Sequence, residues 1–219
     1  MLNLVRITGK IRVKTGLRIG GSKDNVNIGG IDNIVTKNPA DGKPYIPGSS
    51  IKGKMRFLME WKKGVREIRE GKGSVHNCDN PDCDICGLFG STKFKENAVP
   101  TRLIVRDAYL EENIGDNILE EKVENSINRL NGRASSPRTM ERVVPGTEFS
   151  FEMVLRLFDN DNPKKWKDLL VEALGLLQSD YLGSSGSRGY GKITFVSSDN
   201  TEGAVDIDGK ERVLENAEE

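Results

Sequence analysis

Hydrophobic residues recur along this chain with two different periods. In residues 3–14 and 148–157 apolar and polar positions alternate, which is typical of a strand with one buried face. Gly9 interrupts the first segment, so we expect either two short strands or one strand with a bulge at the glycine. Residues 102–110 and 192–197 predict two further strands.

Helical spacing first appears after Pro47-Gly48, where the chain breaks and Ser49 or Ser50 can cap a helix. The apolar positions that follow are three to four residues apart: Ile51, Met55, Leu58 and Met59. The opposite face of this helix carries three cations: Lys52, Lys54 and Arg56.

A second helix is predicted from Asn162 as the cap and Pro163 as the first helical residue, and it continues through Tyr181. A shorter helix is expected near Glu120–Leu130. Without this shorter helix, the order of elements is strand, helix, strand, strand, helix, strand. This order predicts an α+β fold: a ferredoxin-like or RRM-like antiparallel sheet with two helices. Many such domains bind RNA on the open face of the sheet, but the fold alone does not establish a function.

Long insertions separate these elements. We expect residues 1–63 and 101–198 to form the core, and residues 64–100, which are polar and rich in glycine, to form an inserted lobe. Residues 199–219 are acidic and lack aromatic side chains, so we expect a mobile tail.

The chain has 33 Lys and Arg against 33 Asp and Glu, but the charges are unevenly distributed. Residues 1–70 carry 15 cationic and 6 acidic side chains, whereas residues 199–219 carry 2 and 8. The basic part could bind a polyanion such as nucleic acid, or it could pair with the acidic tail. No signal peptide opens the chain and no apolar run approaches the ~18 residues of a membrane span, so we expect a soluble cytoplasmic protein.

All three cysteines lie within nine residues, beside the only histidine. Thiolate and imidazole are the ligands that zinc prefers in closed tetrahedral sites. We therefore predict a structural Zn²⁺ with four ligands from the chain: His76, Cys78, Cys83 and Cys86. The alternative is three ordinary cysteines in an exposed loop.

A glycine-rich loop spans residues 182–191 and contains Arg188 and Tyr190, a cation and an aromatic residue of the kind that contacts RNA. It follows a helix, so it matches neither of the phosphate-binding glycine loops that precede one. A plain flexible connection is the alternative. Asp32 lies in a second glycine-rich stretch, where it can form a turn, act as a base on a ribose 2′-hydroxyl or hold Mg²⁺.

Five segments together resemble the RAMP superfamily, and more narrowly the repeated backbone subunit of type III-A CRISPR effectors. They are TGLRIGG (15–21), GGIDN (29–33), PYIPGSSIKGKMR (44–56), SPRTMERVVPGTEF (136–149) and GSSGSRGYGKI (183–193). The likeness extends from about residue 3 to residue 197.

This resemblance implies a subunit that stacks with further copies of itself into a filament on a guide RNA, beside other effector subunits. It implies a thumb hairpin at about residues 125–146 that wedges between bases, and metal-dependent cleavage of complementary target RNA by Asp32, with Mg²⁺ or a similar cation. The RNA-binding residues that it implies lie on the first helix, the hairpin and the glycine loop: Lys52, Lys54, Arg56, Arg129, Arg138, Met140, Arg142, Gly186, Arg188 and Gly189. Some relatives carry histidine where this chain has Arg18, so a scheme that needs an imidazole there does not apply.

Three other functions fit parts of the same sequence. A non-catalytic RNA scaffold of this fold would bind RNA without needing Asp32. A guide-processing endoribonuclease often uses a histidine base, and the only histidine here lies in the cysteine cluster. A zinc-dependent adaptor would bind protein partners through its lobe.

Overall fold

The computed structural model describes residues 2–20, 34–80, 82–93, 100–111 and 117–214. Its strands are β1 Asn3–Val13, β2 Tyr45–Ile46, β3 Leu103–Val105, β4 Ala108–Leu110, β5 Leu119–Ile127, β6 Ala134–Val143, β7 Glu148–Leu157, β8 Ile193–Val196, β9 Ala204–Ile207 and β10 Lys210–Val213. Its α-helices are α1 Gly48–Lys63, α2 Arg66–Arg69, α3 Asp84–Phe89 and α4 Pro163–Ser179. Among the described residues, these helices fall short of the length and apolar character that a bilayer crossing requires.

An eight-stranded sheet forms the centre of the molecule, in the order β10-β9-β1-β7-β4-β2. β3 also pairs with β7, and β8 pairs with β1. Every strand pair between the described residues is antiparallel. The predicted α+β class with a mostly antiparallel sheet is therefore confirmed.

β1 is one continuous strand that pairs with β7 from Asn3 to Arg12. Its other edge pairs with β9 before Gly9 and with β8 after it. Gly9 has φ +151°, and a Cβ there would lie 2.7 Å from the Val196 carbonyl oxygen, so only glycine lets β8 approach this closely. The glycine thus marks a change of neighbour on one edge of the strand.

The inward residues of β1 and β7 are buried, as their alternation predicts, and belong to the same hydrophobic core as the apolar residues of α1 and α4. Ile51, Met55 and Met59 are fully buried on α1. The predicted serine cap of this helix is wrong, because Pro47 occupies the N-cap position and the Gly48 N–H donates to Asp107 at 2.7 Å. The Asn162 cap of α4 is confirmed by its bonds from the backbone N–H groups of Lys164 and Lys165.

Two predicted elements differ from the structure. Residues 102–110 form two short strands, β3 and β4, and not one. The helix predicted near Glu120–Leu130 is wrong, since β5 occupies most of it. Glu and Lys favour helices locally, and Leu119 and Val123 have helical spacing, but pairing with β6 over the whole strand overrides that preference.

We expected a mobile tail from residue 199 onward, but residues 199–214 are ordered in the structure. Residues 204–213 form the hairpin β9–β10, and β9 pairs with β1. Ala204, Val205 and Leu214 are buried. The acidic composition hid these few apolar residues, which cover one edge of the central sheet.

Candidate nucleic-acid interface and metal centre

A separate two-stranded hairpin, β5–β6, overlaps the segment for which a thumb was predicted. Its turn is held by the Asn128 side chain, which accepts hydrogen bonds from the backbone N–H groups of Leu130 and Asn131. Leu130 at the tip is 98% exposed. An apolar side chain held at the end of a projecting hairpin can enter between stacked bases.

The base of this hairpin is joined to the segment after β1. Leu17 and Val143 exchange two backbone hydrogen bonds of 3.0 and 2.8 Å. Arg142 packs over Gly16 so closely that a Cβ at this glycine would overlap the guanidinium group, and its Nε donates to Glu120 at 2.7 Å. A larger residue at the first glycine of the TGLRIGG motif would therefore require the Arg142 side chain to move away.

The glycine-rich loop lies beside the same segment. The Ser184 N–H donates to the Arg18 carbonyl at 2.9 Å, and the Arg18 guanidinium donates to the Ser184 hydroxyl at 3.0 Å. Gly191 has φ +75°, and a Cβ there would overlap the Leu182 carbonyl, so the loop cannot close with another residue at this position. Two motifs that are far apart in the sequence thus form one surface.

Glu124 connects the hairpin to this loop. Its carboxylate accepts from the Tyr190 hydroxyl at 2.6 Å and from the Arg188 guanidinium at 3.0 Å, and Lys122 lies 3.5 Å away. The hydrogen bond from Tyr190 is the main cause of the lowered pKa of Glu124. Lys122 and Arg142 each lie over the Tyr190 ring, with their cationic centres 4.7 and 4.8 Å from its centroid.

The structure brings together several predicted RNA-binding residues. Gly186, Arg188 and Gly189 lie on the glycine-rich loop, and Arg129 and Arg138 are exposed on the hairpin. Met140 is only 5% exposed, so its side chain offers little surface to RNA in this conformation. The sequence analysis missed Glu124 and Lys122, because no local pattern shows that β5 faces the loop. Asp32 lies outside the described residues.

The three α1 cations do not form one open phosphate-binding face in the isolated chain. Lys52 donates to the Leu103 carbonyl at 2.9 Å, and burial lowers its pKa. Lys54 pairs with Asp180 at 2.7 Å and lies over the Tyr181 ring. Their part in RNA binding stays a prediction; helical spacing shows which side of the helix a residue lies on, but it does not show what packs there.

Arg56 contacts the inserted lobe. Its guanidinium donates to the carbonyls of His76 and Gly90, at 2.5 and 3.2 Å, and to Glu60 at 3.0 Å. The buried Glu60 carboxylate also accepts from the His76 N–H. Arg56 and Glu60 thus fix the backbone of the first predicted metal ligand.

The four predicted metal ligands converge. One donor atom from each of His76, Cys78, Cys83 and Cys86 lies within 4.8 Å of the others. A tetrahedral zinc with Zn–S bonds of about 2.3 Å places its ligands ~3.8 Å apart, so this set fits the ion after a small contraction. Burial raises the pKa of the Cys86 thiol to about 12, and a bound cation would supply the charge that a thiolate needs there.

A carboxylate orients the histidine of this cluster. His76 Nδ1 lies 2.7 Å from Glu67, and its Nε2 lies 3.5 Å from the Cys83 sulfur. Burial lowers the pKa of His76, but the bonds with Glu67 and Cys83 outweigh it and raise the pKa overall. The second nitrogen is thereby aimed at the thiols, which is the arrangement that metal-binding histidines usually show.

Comparison with known proteins agrees with these features. The family model described as "RAMP superfamily" matches residues 10–194. The chain is 46% identical over 196 residues to "CRISPR system Cms endoribonuclease Csm3" of Methanocaldococcus jannaschii, with 87% of this chain and 78% of that protein covered. It is 39% identical over 199 residues to the protein of the same name from Streptococcus thermophilus, with 87% and 86% covered.

Two solved structures share the fold. A chain of "Cryo-EM structure of the Type III-B Cmr-beta bound to cognate target RNA" has a TM-score of 0.63 at 17% identity, over 93% of this chain. This protein spans only 60% of that longer chain. "Methanopyrus kandleri Csm3 crystal structure" has a TM-score of 0.60 at 22% identity, over 94% of this chain and 78% of that one. With the family match and the close relatives, the chain belongs to the RAMP superfamily, among the Csm3 proteins of CRISPR systems.

Proposed function

We propose that this chain is an endoribonuclease subunit of a type III-A CRISPR effector in the cytoplasm, where it binds guide RNA and cuts the paired target RNA. The observation that carries the proposal is 46% identity over 196 residues to a relative whose name is that of a CRISPR endoribonuclease. Copies of the chain would stack into a filament along the guide, beside other effector subunits. Each copy would bring its own cleavage site, so cuts would recur at even intervals.

The ferredoxin-like core would act as the rigid platform for RNA. Arg129 and Arg138 on the hairpin and Arg188 on the glycine-rich loop would contact phosphates, which requires no particular base. Leu130 at the hairpin tip would take the wedge position that was predicted for this element. The Lys52 ammonium group donates one of its three N–H groups to the Leu103 carbonyl, so it would bind the guide through the other two.

Cleavage would begin from a splayed target nucleotide, whose ribose 2′-oxygen can then approach the adjacent phosphorus in line. The new bond joins the 2′-oxygen to phosphorus, the bond from phosphorus to the 5′-oxygen breaks, and that oxygen gains a proton. Asp32 would either accept the 2′-hydroxyl proton or hold a Mg²⁺ ion, which supplies positive charge beside the phosphate. Nearby cations would stabilise the extra negative charge of the transition state.

The Asp32→Ala variant tests this proposal in an assembled complex with guide RNA. We expect target cleavage to be lost while assembly and target binding stay near the wild-type level. Asp41→Ala is the matched control, because Asp41 lies at a turn in the same glycine-rich part of the chain, where its carboxylate accepts a hydrogen bond from the Lys43 backbone N–H at 3.0 Å. Unchanged cutting by Asp32→Ala, at the same positions and rate, would show that this carboxylate is not the catalytic group.

The inserted lobe would hold a structural Zn²⁺ through His76, Cys78, Cys83 and Cys86. All four donor positions would come from the chain, so no position is left for a substrate. The arrangement supports this role because Arg56 and Glu60 bind the His76 backbone and Glu67 orients its ring. Zinc would therefore order the lobe against α1 without taking part in cleavage.

A further inference from the structure

One carboxylate occupies the centre of the surface between the hairpin and the glycine-rich loop. Glu124 accepts from the Tyr190 hydroxyl and from Arg188, and its cross-strand neighbour on β6 is Arg138. Lys122 lies two residues earlier on the same face of the strand, 3.5 Å from the carboxylate. An anionic group is thus held by two cations and a hydroxyl donor, with a third cation opposite it on β6.

These donors are the ones that recognise phosphate. Guanidinium and ammonium groups bind the anionic oxygens of carboxylates and phosphates alike, and a buried hydroxyl adds a directed hydrogen bond. Tyr190 is nearly inaccessible, but Arg188 and Lys122 keep 55% and 39% of their side-chain surface exposed. A second anion can therefore reach the two cations from solvent while Glu124 still holds them.

The hydrogen bond from Tyr190 holds the Glu124 carboxylate in one position. Tyr190 belongs to the glycine-rich loop and Glu124 to the hairpin, 66 residues earlier. Lys122 and Arg142 each contact the tyrosine ring as well. The carboxylate is thus positioned by a buried group, whereas an ordinary surface ion pair is mobile and contributes little.

We propose that Glu124 is an internal stand-in for an RNA phosphate, and that a backbone phosphate competes with it for Arg188 and Lys122 when RNA binds. This inference rests on the proposed function, since it assumes that RNA lies along the hairpin and the loop. In the free chain, the carboxylate keeps the two cations in place and lowers their attraction for other anions. RNA that reaches the site shares Arg188 and Lys122 with Glu124, which keeps its hydrogen bond from Tyr190, so the wild-type chain makes each of these phosphate contacts only in part.

The Glu124→Gln variant separates the charge of this residue from its hydrogen bond with Tyr190. The amide oxygen can still accept from the Tyr190 hydroxyl, so the shape of the surface is retained while its negative charge is removed. Glu121→Gln is the matched control: it removes the same charge three residues away on the same strand, from an exposed position on the opposite face. Binding of a fluorescein-labelled, unstructured single-stranded RNA by the full chain is measured by anisotropy over a range of salt concentrations.

We expect Glu124→Gln to bind this RNA about two- to fivefold more tightly at low salt, the effect of releasing exposed ion pairs. The slope of log K against log salt should steepen by ~0.7 for each additional phosphate contact. Glu121→Gln should leave the slope unchanged. The slope is the readout that a merely structural role of Glu124 would not move.

The outcomes separate this inference from the function on which it rests. If both variants gain affinity equally and keep the wild-type slope, only net charge matters and the stand-in role is overturned. Weaker RNA binding by Glu124→Gln, with a normal melting temperature, would also overturn it, because the carboxylate would then assist binding. If the wild-type chain and both variants all fail to bind RNA, the proposed function itself is wrong.

Discussion

The buried ion pair between Arg102 and Asp161 gives the sharpest prediction for stability. Their side chains are only 4% and 8% exposed, and the guanidinium donates to both carboxylate oxygens, at 2.9 and 2.6 Å. Arg102 also donates to the Gly87 carbonyl at 3.0 Å and lies 4.1 Å from the centre of the Trp166 ring. One side chain thus joins α3, which carries Cys86, to the sheet and to α4.

Replacing Arg102 with methionine should lower the free energy of unfolding by ~3–5 kcal/mol, since it leaves the Asp161 carboxylate buried without its cation. The thioether can still pack against Trp166, so most of the loss reflects the charge and not an empty volume. For a domain of this size the melting temperature should fall by about 6–20 °C. Urea unfolding followed by tryptophan fluorescence measures the change.

The double variant Arg102→Met/Asp161→Asn identifies the cause. The asparagine oxygen can still accept from the Phe158 N–H, which bonds to Asp161 at 2.9 Å, but the buried charge is gone. The double variant should therefore be more stable than Arg102→Met alone by ~1–3 kcal/mol. A loss below ~1 kcal/mol for Arg102→Met, or additive losses in the double variant, would refute the reasoning.

The pH dependence of stability gives the same pair a second test. Burial raises the pKa of Asp161, but the hydrogen bonds from Arg102 and the Phe158 N–H outweigh burial, and the pKa lies below its usual value. A carboxyl with a lowered folded-state pKa stabilises the protein above its unfolded pKa, and this contribution disappears as the pH falls through the folded-state pKa. The wild-type protein should thus lose stability from this group below about pH 4, whereas Arg102→Met should lose less over that range.

Two further predictions concern the lobe. Elemental analysis should find about one zinc per chain, and Cys83→Ser with Cys86→Ser should remove it and destabilise the lobe more than the sheet; full retention of zinc would refute the ligand set. Arg56→Ala should lower zinc affinity, measured by competition with a chelator, because it frees the His76 and Gly90 carbonyls. If Arg56→Ala instead weakens RNA binding and leaves zinc affinity unchanged, Arg56 serves the guide as first predicted.

The sequence was sufficient where the signal is local. Strict alternation predicted β7 over its full length, and Asn162-Pro163 predicted the start of α4 to the residue. The spacing of one histidine and three cysteines predicted a ligand set whose donor atoms do converge. In each case the residues that decide the structure lie within one element or one short loop, so their pattern contains the information.

The sequence misled where pairing overrides local preference. β5 has helical composition, but it forms a strand because β6 lies beside it along its length. The acidic segment after residue 199 was predicted to be mobile, but β9 pairs with β1 and three apolar residues of the segment are buried. The free energy gained by burying apolar side chains against a neighbouring strand can thus outweigh the local preference that the composition of a segment indicates.

The tertiary structure alone decided which partners the charged residues meet. Periodicity placed Lys52, Lys54 and Arg56 on one helix, yet one contacts a strand carbonyl, one an aspartate and one the metal lobe. Glu124 has no motif, and it becomes notable only because the fold sets it against a tyrosine 66 residues away. A local pattern shows which side of an element is buried, whereas electrostatic interactions act over a few ångströms in space and therefore depend on the packing of segments distant in the chain.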